Sequence, residues 1–188
     1  MYYIMSRRII VDGNIGSGKT TQLDLLEKKG WKVHREPLEK WPLEEFYKDP
    51  SRWAFYFHMV ILQTQRPIEC SEPVVYERSL VSSKTVFWKV LRNRGLVTDG
   101  EDLTYSQFYD KFVWYPDLYI FLKKSPEKAF EHISLRGQAG DSGVDLDYLK
   151  ELDFEYNNLI SKLPCEVVII DAERTPEEIH EEIIRLLQ

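Results

Sequence analysis

The sequence has no apolar run near the roughly 18 residues that a membrane-crossing helix needs, and its 188 residues include only two cysteines. Cys70 and Cys165 stand far apart and match no metal-ligand spacing, so they read as buried or idle thiols in a reducing compartment. Positive charge is not in excess. The 25 Lys and Arg against 31 Asp and Glu give a net charge of −6, and the basic residues are scattered. That pattern argues against a nucleic-acid polymer as partner. MYYIMSRR runs into the first apolar segment with neither a secretory signal nor an Arg-rich transit peptide. The expectation is a cytoplasmic protein, without membrane attachment, that works on small molecules. Repeats, low-complexity tracts and linkers are also lacking, so residues 1–188 read as a single domain.

What is present is alternation. Short β-branched runs recur at 7–12, 32–35, 74–77, 117–122 and 166–171. Between them, helical patterns cover 19–29, 50–68, 82–94, 105–114, 126–135, 146–162 and 176–187. Runs such as IIV, VVY, YIF and VVII suit strands buried on both faces. The fold class is α/β, a five-stranded parallel sheet flanked by helices.

The stretch IIVDGNIGSGKTTQ carries the first chemistry. Gly13, Gly18, Lys19 and Thr20 satisfy G-x-x-x-x-G-K-[ST], with a strand before and a helix after. Average residue frequencies make such a match by accident an event on the order of 1% in a chain of this length, so nucleotide binding follows. Gly13, Asn14, Ile15, Gly16, Ser17, Gly18, Lys19, Thr20 and Thr21 form the ATP-binding loop, whose N–H groups and helix N-terminus face phosphate oxygens. Lys19 reaches the β/γ-phosphates and the Thr20 hydroxyl ligates Mg²⁺. What receives the phosphate is decided further along. Glu36 follows the second strand, and Glu77 and Arg78 end the third. In open parallel sheets ligands sit at those carboxyl ends. A lone loop glutamate is usually just solvated. Two acids and an arginine at one edge of a phosphate cradle point instead to phosphoryl transfer.

The series DGNIGSGKTT, REPLEKW, DPSRWAFYF, YERSLVSS, PDLYIFLKKSPE, HISLRG and VDLDYLKEL resembles the deoxynucleoside kinase family, in order and at similar spacing. That family includes the deoxycytidine, deoxyguanosine and mitochondrial thymidine kinases and the insect multisubstrate enzyme. The resemblance implies a P-loop kinase that moves the γ-phosphate of ATP to a deoxynucleoside 5′-hydroxyl, with Mg²⁺, commonly as a homodimer. It implies Glu36 as general base, Arg78 as the arginine that holds it, and Glu77 beside Thr20 at the metal. Tyr47 is similar to the tyrosine that meets the sugar 3′-hydroxyl. Trp41 and Phe87 correspond to walls of the base pocket, Phe87 stacking on the base. Trp53, Phe55 and Phe57 are assigned to the core instead. The loop 171–175 corresponds to the donor-base pocket. The apolar helices around HMVILQTQ and KTVFWKVL are the candidate dimer surfaces.

The chain departs from the family at two places. The lid, residues 132–143 with Gly137, Gly140 and Gly143, keeps Arg136 for the transition-state charge. His132 and Gln138 stand where further arginines are usual, and Asp141 replaces the glutamate that binds the 3′-hydroxyl. Lys123 and Lys124 are candidate substitutes for the missing charge. In the base pocket, His58 stands in place of the base-reading glutamine, and Gln65 and Ser83 in place of an arginine–aspartate pair. An imidazole offers one donor and one acceptor at a reach unlike an amide's. Small Ser83 leaves room for a 5-methyl group, so pyrimidine deoxynucleosides are expected, thymidine first. Two other readings stand beside this one. Thymidylate kinases share a P-loop with TTQ and a PDLxIxL strand, but usually carry D-R after the third strand. A non-catalytic subunit of the same fold would not need Lys19, Thr20, Glu36, Arg78 and Arg136 together.

Overall fold

The computed structural model describes residues 7–137 and 143–188. Five parallel strands form the sheet: β1 Arg8–Asp12, β2 Lys32–His34, β3 Val74–Glu77, β4 Leu118–Lys123 and β5 Glu166–Asp171, in the order β2-β3-β1-β4-β5. The register places Ile10 opposite Tyr76 on one side and Tyr119 on the other. Central β1 therefore ends between β3 and β4, and the carboxyl ends of β1, β2 and β3 gather at one edge.

Alternation along the strands sorts the core into two layers. Ile10, Tyr76, Tyr119 and Phe121 face one set of helices, while Ile9, Val11, Val75 and Ile120 face the other. The second layer is closed by α1 (Lys19–Lys28) through Leu23 and Leu26, and by α9 (Pro176–Leu187) through Ile179 and Ile183. Leu26 is fully buried there. Its truncation to alanine would cost about 2–5 kcal/mol, because the rigid sheet cannot collapse into the space. The first layer holds α2 (Leu43–Lys48), α3 (Pro50–Thr64), α6 (Asp99–Phe112), α7 (Pro126–Arg136) and α8 (Leu146–Ile160).

Helix starts follow local chemistry. Asp49 accepts from the Arg52 N–H, with Pro50 in the first turn of α3. Thr98 with Glu101 and Thr175 with Glu178 form capping boxes for α6 and α9. Two boundaries differ from the sequence pattern by more than two residues. The third helix ends at Thr64, not at residue 68, because Pro67 biases Arg66 away from helical backbone. The sixth starts at Asp99, where the Thr98 box begins it, and α2 was not expected at all.

The helical stretch after β3 also changes its winding. Short α4 (Leu80–Ser82) and α5 (Lys89–Asn93) flank a π-helical segment, Ser83–Trp88. Such widened turns redirect side chains and recur at functional sites. Here Val86, Trp88, Val90 and Leu91 enter the chain's own core, which removes them from any dimer surface. Among the described residues no helix is long and apolar enough to cross a membrane.

Candidate active site

The loop after β1 is built by backbone conformations that only glycine adopts easily. Gly16 has φ +80°, and a Cβ there would lie 2.7 Å from the Ala129 carbonyl oxygen, so the loop packs directly on α7. Lys19 bends back onto this loop. Its Nζ donates to the carbonyl oxygens of Gly13 at 3.0 Å and Asn14 at 2.8 Å, and lies 3.5 Å from Ser17 Oγ. Burial, and after it the nearby Arg78 charge, brings the Lys19 ammonium down to about 7. The ammonium is thus poised to gain from an anion beside it.

A cavity of about 430 Å³ opens beside the loop. Ile15, Gly16, Gly18, Lys19, Thr20 and Thr21 line its phosphate end. Gly13, Asn14 and Ser17 stand behind that wall and hold Lys19. On the facing side, the Thr20 hydroxyl donates to Glu77 Oε1 at 2.9 Å. A hydroxyl and a single carboxylate match the sparse protein contribution that Mg²⁺ takes alongside substrate phosphates.

Arg78 organises the centre. It is the only non-glycine residue with positive φ among the described residues, at +59°. A left-handed residue of this kind costs on the order of 1–3 kcal/mol, which the surrounding structure must offset. Its Nη1 donates to both oxygens of Glu36, at 3.1 and 2.9 Å. Gln65 Nε2 adds a weaker bond to Glu36 Oε1 at 3.3 Å. The Glu36 side chain is only 8% exposed. Burial pushes its carboxyl above the usual glutamate range, and the Arg78 guanidinium opposes that rise. The Arg78 guanidinium also lies over the Phe87 ring, 4.8 Å from its centre, and so occupies one face of it.

One residue behind this pair escaped the sequence analysis. Asp12 is fully buried at the end of β1. Its Oδ1 accepts from Gly13 N at 2.7 Å and from the Tyr156 hydroxyl at 2.8 Å, and its Oδ2 accepts from the Tyr119 hydroxyl at 2.7 Å. Arg78 Nε lies 3.7 Å from Oδ1. The guanidinium therefore sits between two buried carboxylates, Asp12 behind and Glu36 in front. The two tyrosines hold Asp12 in place, and burial raises both phenols well above their ordinary value.

The other end of the cavity is aromatic. Trp41, Tyr47, His58, Gln65, Ser83 and Phe87 line it, and Arg136 at the end of α7 lines the same cavity. Trp41 is fixed by its Nε1 bond to Thr64 Oγ1 at 2.9 Å. Phe57, assigned from its spacing to the core, is buried and lines the cavity as well. Tyr148 of α8 is a further wall residue without a sequence signal. His58 is 1% exposed, packed against Phe57, Trp88 and Tyr105, with Nδ1 at 3.2 Å from Ser83 Oγ. Burial, with Lys84 nearby, lowers it to about 3, so the ring is neutral.

The expected lid is only partly described. Residues 132–136 are the last turn of α7, and Gly137 caps it at φ +58°. His132 Nδ1 is 2.8 Å from the Gly16 carbonyl oxygen, which ties α7 to the phosphate loop. Gln138, Gly140 and Asp141 lie outside the described residues. Lys123 donates to Asn157 Oδ1 at 3.3 Å, and neither it nor Lys124 lines the cavity. In the 171–175 loop, Glu173 accepts from Ser125 and Lys128, fixing the loop against the start of α7.

A strand–loop–helix phosphate cradle with a buried carboxylate at its side defines a P-loop phosphotransferase. Residues 9–188 match the family model described as deoxynucleoside kinase. "Putative kinase protein 029R" of Invertebrate iridescent virus 3 is 33% identical, covering 100% of this chain and 97% of that protein. The deoxyadenosine kinase of Dictyostelium discoideum is 31% identical over 86% of this chain and 70% of its own. A solved deoxyadenosine kinase from M. mycoides with bound dCTP superposes with a TM-score of 0.85 at 25% identity, covering 96% of this chain and 98% of that one. The chain belongs to the deoxynucleoside kinase family and is an ATP-dependent phosphotransferase.

Proposed function

We propose that the chain transfers the γ-phosphoryl group of ATP to the 5′-hydroxyl of a pyrimidine deoxynucleoside, thymidine first. The observation that carries this reading is Glu36, a buried carboxylate gripped by Arg78 beside the phosphate loop. Glu36 accepts the proton of the 5′-hydroxyl as that oxygen bonds to the γ-phosphorus. The bond from the γ-phosphorus to the bridging oxygen breaks, and ADP leaves. Arg78 keeps the base ionised and aimed. Lys19 and Arg136 supply positive charge around the transferred group, where preorganised charge contributes most to the rate. Thr20 and Glu77 would hold Mg²⁺, which neutralises phosphate charge when bound.

The open face of Phe87 stacks on the base, Trp41 walls it, and Tyr47 meets the sugar 3′-hydroxyl, with Asp141 expected to join it. His58 and Gln65 read the base edge, and small Ser83 accommodates a 5-methyl group. The same reading includes a homodimer. Exposed Tyr56 of α3 and Leu103 and Phe108 of α6 are its candidate contacts, and sedimentation tests it. For the reaction itself, the test is formation of thymidine 5′-monophosphate from ATP and thymidine by the parent and by Glu36→Gln. Loss of a general base lowers kcat by about 10²–10⁴-fold. A Glu36→Gln variant with undiminished turnover would overturn the assignment.

A further inference from the structure

We infer that Tyr105 and Ser83 lock the His58 ring in the tautomer that carries its hydrogen on Nε2, so that the pocket presents a donor to a base carbonyl and rejects an amino group there. The inference rests on the reading above that His58 faces the base.

Hydrogen-bond satisfaction in the buried chain fixes the tautomer. Tyr105 is fully buried, and among the described residues its hydroxyl has a single partner, Ser83 Oγ at 3.4 Å. Ser83 is itself buried and has one further side-chain partner, His58 Nδ1 at 3.2 Å. A buried phenol must spend its hydrogen or leave it unsatisfied in a dry core. Tyr105 can donate only to Ser83. Ser83, having accepted, then donates to Nδ1, and Nδ1 must be the bare nitrogen. The neutral ring has one hydrogen left, and it sits on Nε2. With hydrogen on Nδ1, Ser83 would either accept from both neighbours and strand its own hydrogen or donate to Tyr105 and strand the tyrosine's.

The ring is also held from rotating. Its neighbours Phe57, Trp88 and Tyr105 lie edge-on around it, with ring centres 5.2–5.6 Å away. Nε2 makes no hydrogen bond among the described residues, and the residue lines the cavity. Gln65 supplies the complementary atom. Its Nε2 is used on Glu36, and its Oε1 is buried without a partner. The pocket thus holds one donor on His58 and one unpaired acceptor on Gln65, which meets the base when the Gln65 amide turns into the cavity that the residue lines. A C=O beside an N–H, the 4-keto edge of thymine, fits that pair. Tyr105, which touches no substrate atom in this account, is a positioning residue for specificity.

Two measurements test this. Nitrogen-15 spectra of the histidine-labelled parent protein should show His58 with a protonated Nε2 and a bare Nδ1, and Tyr105→Phe should show a mixture of the two tautomers. The kinetic probe is the pair thymidine and 5-methyldeoxycytidine, which differ only in the 4-keto against the 4-amino group. The parent should favour thymidine in kcat/KM, and Tyr105→Phe should lower that preference by about tenfold, the worth of one hydrogen bond in a dry pocket, with the KM for ATP unchanged. A protonated Nδ1 in the parent, or a preference that Tyr105→Phe leaves as it was, would overturn the inference. If neither nucleoside is phosphorylated, the proposed function fails, and the spectrum of the parent still decides the tautomer.

Discussion

Arg78 Nη1 donates to both carboxylate oxygens of Glu36, at 3.1 and 2.9 Å, while Arg78 Nε stands 3.7 Å from Asp12. One guanidinium thus couples the candidate base to a buried anchor under the phosphate loop. The grip has a measurable sign. Burial raises the Glu36 carboxyl above its ordinary 4.5, so kcat/KM should climb with pH through an apparent pKa above that value. The guanidinium favours the carboxylate form, so Arg78→Gln should move the acidic limb further up. A pH–rate profile in which the limb moves down, or stays, would contradict the role given to Arg78.

Lys19 gives a second pH signature. At about 7 in the free protein, its ammonium is largely deprotonated at pH 8. Phosphate oxygens favour the charged form, so ATP binding at pH 8 should take up protons. Calorimetry in two buffers of different ionisation enthalpy reads that uptake directly. Lys19→Met should remove it.

Asp12 connects fold and site. Asp12→Asn replaces one of the two acceptor oxygens by an amide donor, set either against the Tyr119 hydroxyl or against the Tyr156 hydroxyl and Gly13 N, and leaves Arg78 short of one counter-charge. Hydrogen bonds to a charged group contribute about 1.5–3 kcal/mol each, so a loss of that order is expected in urea unfolding. Turnover should fall with it, more in kcat than in the KM for ATP. Full stability in Asp12→Asn would show the anchor to be dispensable.

Gly143 lies against Tyr47, and a Cβ there would overlap the tyrosine ring. Gly143→Ala should therefore displace Tyr47 and raise the KM for the nucleoside several-fold, with the KM for ATP little changed. Equal increases in both would place the effect elsewhere.

Much of this was legible in the sequence, for identifiable reasons. Strands buried on both faces need continuous apolar runs, and all five fall within a residue or so of those runs. The phosphate loop is legible because its glycines are dictated by backbone geometry rather than by packing. Glu36, Arg78 and Glu77 could be found because they follow strand ends at the binding edge. Asp12 could not. A carboxylate closing a strand reads the same whether it faces solvent or core, and its partners Tyr119 and Tyr156 lie 107 and 144 residues away. Phe57 was set aside for the same kind of reason, since helical spacing shows a buried face and not a cavity cut into it. The His58–Ser83–Tyr105 chain is a tertiary contact of three helical segments, and nothing local marks it.

The central claim is that a nucleoside hydroxyl receives the phosphate. The most direct measurement supplies ATP and Mg²⁺ with an equimolar mixture of the four deoxynucleosides and thymidylate, and identifies the products by mass. The account predicts thymidine 5′-monophosphate as the leading product, lost with Glu36→Gln. Thymidine diphosphate alone, from thymidylate, or no product at all, would contradict it.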